Sequence, residues 1–241
     1  AGAEICTLNT YTATSTRLRN SNREDDFELI HAMADHALRE AIQKSELPVK
    51  VAGCLPPLHG SYLGTPSRTK SSMSDEYAKI VQLHPTVDLW IIETMTNPLE
   101  AEAAVTAGLE SGKPVLLAYR LENNGRLKSG HTLKEVKGCF DHNELNGILI
   151  NCSEPEIISD HIAELSDFDM PFGAYGNGFV SVEPLARGES VSKLQARTDL
   201  SPGKYADYVD QWISLGATIV GGCCEISPSH IQEIKRHLTN I

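Results

Sequence analysis

The chain has 241 residues, 41% of them apolar, and carries 21 Lys and Arg against 32 Asp and Glu for a net charge of −11. That length suits one sizeable α/β domain and is short for two, and basic residues scattered along an acidic chain argue against a nucleic-acid partner. No apolar run approaches the ~18 residues of a membrane helix and no charged-then-apolar leader is visible, so the expectation is a soluble, cytoplasmic protein with no membrane partner.

The six cysteines are too few for a disulfide framework in a chain of this length. In a reducing compartment they would stay free to bind metal.

Ala1-Gly2-Ala3-Glu4-Ile5-Cys6-Thr7 reads as a strand entered without its preceding turn, and Asn9-Thr10-Tyr11 ends it. Phe27, Ile30, Ala34, Ala37, Leu38 and Ala41 then share one face of a long amphipathic helix. Val49 to Leu55 is a strand stopped by Pro56-Pro57 and followed by a Gly/Ser/Thr-rich loop, with a helix expected from about Asp75 to Leu83. Val87 to Glu93 is an apolar strand ending on a carboxylate, and Asn97-Pro98 opens the next helix. Pro114 to Tyr119 is a strand; an Asn-Asn-Gly turn at Asn123 to Gly125 leads to a helix near Thr132 to Phe140.

Gly147 to Cys152 is a short apolar run ending in a thiol, and Ser153 to Glu156 reads as a capping box for the helix that follows. Met170 to Asn177 forms another strand, a long loop runs through Arg187 to Ser201, and Tyr205, Tyr208, Val209 and Trp212 share one helix face. The last strand, Thr218 to Gly222, stops at Cys223-Cys224 before a helix capped by Ser227 with Pro228 in its first turn. Successive side chains on a strand point to opposite faces, so adjacent thiols serve one site only if the backbone twists. Gly221 and Gly222 are expected to supply that twist.

Seven strand-then-helix units follow one another without a linker, which means a parallel sheet covered on both sides. Seven is one short of a TIM (β/α)8 barrel, and the abrupt start points to the first βα unit as the missing one. The expectation is therefore a single, N-terminally incomplete barrel domain over residues 1–241.

The C-terminal strand ends of such a sheet converge on one face, and Cys152, Cys223 and Cys224 all lie at such ends. Three thiolates without a fourth protein ligand suit a catalytic zinc, Zn2+, with an open coordination position. A substrate thiol entering that position would lose its proton and stay nucleophilic, ready for direct displacement at a methyl group on a positive sulfur or nitrogen. Cys6, Cys54 and Cys139 are expected to be small core residues. The nine His residues show no ligand spacing and read as surface or capping groups.

Gly221-Gly222-Cys223-Cys224, Asn151-Cys152, Glu93-Thr94 and Asn9-Thr10-Tyr11 together resemble the homocysteine S-methyltransferase family of zinc-dependent barrels, over essentially the whole chain. The resemblance implies that Cys152, Cys223 and Cys224 are the zinc ligands and that Glu93 binds the homocysteine amino group. It also implies that Asn9 and Thr10 line the pocket, with Asn177 joining them through a looser match of Gly176-Asn177-Gly178. The family's opening Asp-Gly-Gly stretch has no counterpart in this chain. The implied reaction transfers a methyl group from S-methylmethionine or S-adenosylmethionine to L-homocysteine, giving methionine. Alternatives are a betaine-type onium donor, or a non-catalytic metal-thiolate or redox-sensing protein lacking any need for an anchor such as Glu93.

Overall fold

Apolar runs such as Leu89 to Ile92 and Ile148 to Ile150 can bury both faces of a strand, and in the computed structural model they do so at the centre of one parallel sheet. The structure describes residues 1–66, 68–186 and 191–239. The strands are β1 (Ile5–Thr7), β2 (Lys50–Leu55), β3 (Leu89–Met95), β4 (Val115–Tyr119), β5 (Gly147–Asn151), β6 (Phe172–Gly176) and β7 (Ile219–Gly222). Around them lie α1 (Ser15–Asn20), α2 (Phe27–Ser45), α3 (Lys70–Leu83), α4 (Pro98–Glu110), α5 (Leu133–Lys137), α6 (Pro155–His161), α7 (Glu183–Ala186), α8 (Pro202–Ser214) and α9 (Pro228–Leu238).

The seven strands pair in chain order, every neighbour parallel, with Cys54 beside Ile91, Ile150 beside Ala174 and Gly176 beside Gly222. Alternation along the strands sorts side chains into two layers. Ala52, Leu89, Ile91, Leu116, Ala118 and Leu149 cluster on one face with Tyr175 and Ile219, while Trp90, Ile92, Leu117, Ile148 and Ile150 pack against the helices. Because the first cluster draws on β2 through β7, the sheet must curl around it as part of a barrel. The curl is tight where β6 and β7 begin: a Cβ on Gly173 would lie 1.7 Å from the Ile219 carbonyl oxygen, so only glycine lets the two strands meet there. Lys235 Nζ of α9 bonds Glu4 at 2.9 Å, so the last helix reaches the start of β1. No helix among the described residues is long and apolar enough to cross a membrane.

Several expectations are corrected. The helix expected from Asp75 begins at Lys70, where the Thr69 hydroxyl accepts from Ser72 N, and β3 continues past Glu93 to Met95 through an irregularity in its register with β4. Ser153 caps nothing; Glu154 occupies the N-cap of α6 without a side-chain bond, because the Ser153 hydroxyl instead ties strand ends together. Cys139 is exposed rather than core, sitting after the short α5. Four histidines expected at the surface or at caps are buried: His31 and His84 bond each other at 2.7 Å, and His142 and His230 are also covered. His230 does serve as the partner in the Ser227 capping box. Part of the expected long loop, residues 187–190, lies outside the described residues, and what precedes it is the single turn of α7.

Candidate active site

The ends of β3, β5, β6 and β7 are bound to one another before any ligand enters. Asn151, fully buried, accepts from Thr94 N through Oδ1 and donates to Thr94 Oγ1 through Nδ2, both at 2.9 Å, reaching across from β5 to β3. Ser153 Oγ accepts from Leu121 N at 2.9 Å and donates to Asn151 O at 3.1 Å, and Cys152 N donates to Tyr175 O. Thr94 and Cys152 adopt left-handed φ values of 58° and 50°, a conformation that costs a side-chain-bearing residue on the order of 1–2 kcal/mol and is held here by those bonds.

Neither Gly221 nor Gly222 is left-handed, which corrects the expected twist. The strand ends at Gly222 and both cysteines lie in the turn beyond it, where alternation no longer applies. Cys223 N donates to Gly176 O at 2.9 Å, Cys224 O accepts from Gly178 N at 2.8 Å, and Glu225 takes the left-handed angle of 61° that closes the turn. Gly222 is required for space: its Cβ would meet Ile226 Cγ2 at 2.1 Å.

The sulfurs of Cys152, Cys223 and Cys224 consequently lie within 4.8 Å of one another. Tetrahedral coordination with metal–sulfur bonds of ~2.3 Å places ligand sulfurs about 3.8 Å apart. The Cys223–Cys224 separation is 3.8 Å, so the trio fits a metal of that kind with little movement. The Cys224 sulfur accepts hydrogen bonds from Cys152 and Cys223, which holds its pKa far below that of an ordinary thiol. Cys223 moves upward, because it donates to its two neighbours and because it is buried. Hydrogen bonding and burial hold Cys152 up as well, so a single thiolate, Cys224, stands beside two protonated thiols where a cation would sit.

Glu93 faces the same interior. Cys54 Sγ donates to Glu93 Oε2 at 3.8 Å, and burial pushes the carboxyl up to about 7. Two buried hydroxyls, Thr10 Oγ1 and Tyr175 OH, lie beside Cys54 and Glu93 but make no hydrogen bond of good geometry among the described residues. Orphaned donors beside a carboxyl of raised pKa form a polar cradle that a charged ligand would satisfy. Asn177 Nδ2 donates to Cys152 Sγ at 3.8 Å while its Oδ1 accepts from Phe179 N. Asn9 is exposed and has no hydrogen bond among the described residues.

Residues that the sequence reading passed over complete the surroundings. Tyr62 OH lies 3.3 Å from Cys152 Sγ, and Tyr62, Phe179 and Val182 form an apolar collar around that thiol. Arg120 follows Leu116 and Ala118 at two-residue steps on the inward face of β4, the signal that marks it in retrospect. It lines a cleft of about 350 Å³ together with Glu122, Glu154 and Glu183.

A sequence model of the family described as homocysteine S-methyltransferase matches residues 1–238. Among curated proteins, the chain is 28% identical over 265 residues to "Homocysteine S-methyltransferase 2" of Zea mays, covering 99% of this chain and 76% of that protein. It is 24% identical over 277 residues to "Betaine-homocysteine S-methyltransferase" of Drosophila melanogaster, covering 100% of this chain and 80% of that one. Against several further relatives the chain spans only 46% to 63% of their length. Among solved structures, the carboxyl transferase domain of Rhizobium etli pyruvate carboxylase superposes with a TM-score of 0.51 at 13% identity, over 91% of this chain and 33% of that one, a likeness of fold alone.

Proposed function

The chain belongs to the homocysteine S-methyltransferase family, and from that premise we propose that it transfers a methyl group from a sulfonium donor, S-methylmethionine or S-adenosylmethionine, to the sulfur of L-homocysteine. The observation that carries the reading is the convergence of three thiols within 4.8 Å at strand ends whose inner face also holds Glu93. Cys152, Cys223 and Cys224 would hold zinc, which when bound supplies the positive charge that keeps a substrate thiol ionised near neutral pH.

The remaining work falls to the chain's own residues. Glu93 receives the homocysteine ammonium, and the orphaned hydroxyls of Thr10 and Tyr175 take polar groups of the same substrate. The collar of Tyr62, Phe179 and Val182 excludes water around the reacting sulfur. A bond forms between homocysteine sulfur and the methyl carbon as the donor's sulfur–methyl bond breaks, and the bonding pair stays on the donor sulfur, which leaves as a neutral thioether. Both products are uncharged at sulfur, and the thiol proton goes to solvent. Fixing nucleophile and methyl group in line is the main contribution left to the protein, worth up to roughly 7–11 kcal/mol.

For the fold, we propose that an eighth parallel strand between β1 and β7 completes the barrel. Every residue of β7 is only partly buried and Ile5 of β1 is 36% exposed, as unpaired edges would be. A second reading of the chemistry, with betaine as donor, is favoured by the Drosophila relative's printed activity. Homocysteine methylation assayed with S-methylmethionine, S-adenosylmethionine and betaine separates the two. Zinc-loaded protein that forms no methionine with any of them would leave the metal-thiolate sensor in its place.

A further inference from the structure

Arg120 is only 7% exposed, yet no single partner satisfies it. Nη1 pairs with Glu122, but Glu122 also faces Lys128 Nζ at 3.8 Å, so two cations share one carboxylate. Nε is buried without any hydrogen bond among the described residues. The guanidinium lies 4.8 Å from the centre of the Tyr62 ring, whose hydroxyl is 3.3 Å from Cys152 Sγ. A single tyrosine side chain therefore separates a buried cation with an unused donor from the thiol cluster. A buried donor left without an acceptor is costly, and an arginine with one such donor facing a cleft is suited to an anion that arrives from outside.

The cleft in front of Arg120 has a volume of about 350 Å³, within the range of small-molecule sites. Its charged residues are graded in exposure: Arg120 is buried, Glu154 half-buried and Glu183 exposed. A ligand with a carboxylate at one end and an ammonium group near it matches that order, and in an α-amino acid with a two-carbon side chain the carboxylate lies roughly 5 Å from the sulfur. That reach is comparable to the span of the Tyr62 side chain. Asn123 and Asn124 add uncharged donors and acceptors to the wall.

We infer that this cleft seats the α-amino-acid end of the methyl donor, with Arg120 binding its carboxylate and Glu154 its ammonium group, so that the sulfonium faces the thiol cluster past Tyr62. The inference rests on the reading of the chain as a sulfonium-dependent methyltransferase, and it adds a basis for donor choice: Arg120 admits onium compounds that carry a carboxylate and disfavours those that lack one. Arginine suits the role because its planar fork holds a carboxylate through two hydrogen bonds.

The test compares S-methylmethionine with its carboxamide, in which the anionic group is replaced and the sulfonium kept, using zinc-loaded full chain at saturating homocysteine. Loss of a charge-assisted hydrogen-bonded pair should lower kcat/KM for the amide on the order of 100-fold in the unaltered protein. In Arg120→Met the two donors should become nearly equal, Arg120→Lys should recover part of the preference, and the KM for homocysteine and the zinc content should hold. Equal use of acid and amide by the unaltered protein would overturn the inference, as would an Arg120→Met variant that loses both donors in the same proportion. Should Arg120→Met fail to fold, the comparison of donors in the unaltered protein and a Glu154→Gln variant, expected to raise the donor KM alone, decide the matter. If no donor is turned over, the enzymatic reading falls by itself. Calorimetric binding of S-methylmethionine and its amide to the zinc-loaded protein then still tests the cleft: preference for the acid supports it, and equal or absent binding refutes it.

Discussion

Replacing Glu93 by Gln should stabilise the metal-free protein, and the gain should depend on pH in a defined way. The Glu93 carboxyl titrates at about 7 in the folded chain against an ordinary 4.5, chiefly because burial disfavours its charge. Its folded form holds the proton more tightly than its unfolded form, so between those values the folded state binds more protons and stability falls as pH rises. Each pKa unit is worth about 1.4 kcal/mol, which sets an upper limit of roughly 3.5 kcal/mol, and solvent around a half-buried carboxylate reduces it to about 1–2 kcal/mol. Gln mimics the protonated acid and lacks the penalty. Urea denaturation of both proteins in chelator and reductant should give equal stabilities below about pH 4.5, a difference that grows towards pH 7, and a plateau above it. A constant difference across that range would refute the assignment of a destabilised carboxylate. In the zinc-loaded protein the same substitution should weaken homocysteine use by one to two orders of magnitude, since the ammonium that offsets the carboxylate has lost its partner.

Metal analysis after gentle purification should find about one zinc per chain, lost in Cys152→Ala and in Cys224→Ala; full retention by both variants would rule out the shared site. Chelated, aged protein should yield a peptide bridging Cys152 to Cys223 or Cys224, whose sulfurs lie within 4.8 Å of it, and not a bridge between the two neighbours. Gly173→Ala should cost at least about 3 kcal/mol or abolish soluble expression, because its Cβ would overlap the Ile219 carbonyl, whereas Gly221→Ala, with Tyr175 Cβ 3.6 Å away, should shift the denaturation midpoint little. Comparable losses from both glycines would show that the close approach of β6 and β7 is not what the sequence protects.

The order of strands and helices was legible because each apolar run is short, bounded and followed by a cap or proline. Asn97-Pro98 and Ser227-Pro228 open helices where expected, each with the proline in the first turn. Boundaries failed where a side chain found a better partner than the local rule offers. Ser153 would cap α6 if only its own segment mattered, but a backbone N–H at Leu121 and the carbonyl of Asn151 claim its hydroxyl, and both belong to the strand ends that the site is built on. The buried His31–His84 pair was likewise invisible, since the two residues lie 53 positions apart and meet only when α2 packs over the C-terminal end of α3.

For the site, the thiols stood out because cysteine at a strand end is chemically specific, while the residues that orient them are not. Asn151 reads from sequence as half of an Asn-Cys pair, yet its own side chain spends both hydrogen-bonding ends on Thr94. Its role is to hold β3 against β5 so that Cys152 can take its left-handed angle and turn towards Cys223 and Cys224. Arg120 stayed hidden for a different reason. An arginine one residue past a strand is ordinarily a solvated loop charge, and only the inward alternation from Leu116 through Ala118, combined with the curl of the sheet, carries it under cover. Among the described residues Arg120 keeps one buried N–H without an acceptor, beside a cleft that an anionic ligand could enter. The thiol cluster offers the opposite charge, with one thiolate held among three converging sulfurs. An interior that sets a buried arginine and a thiol cluster a tyrosine ring apart is suited to a substrate that brings a positive centre and a carboxylate in the same small molecule.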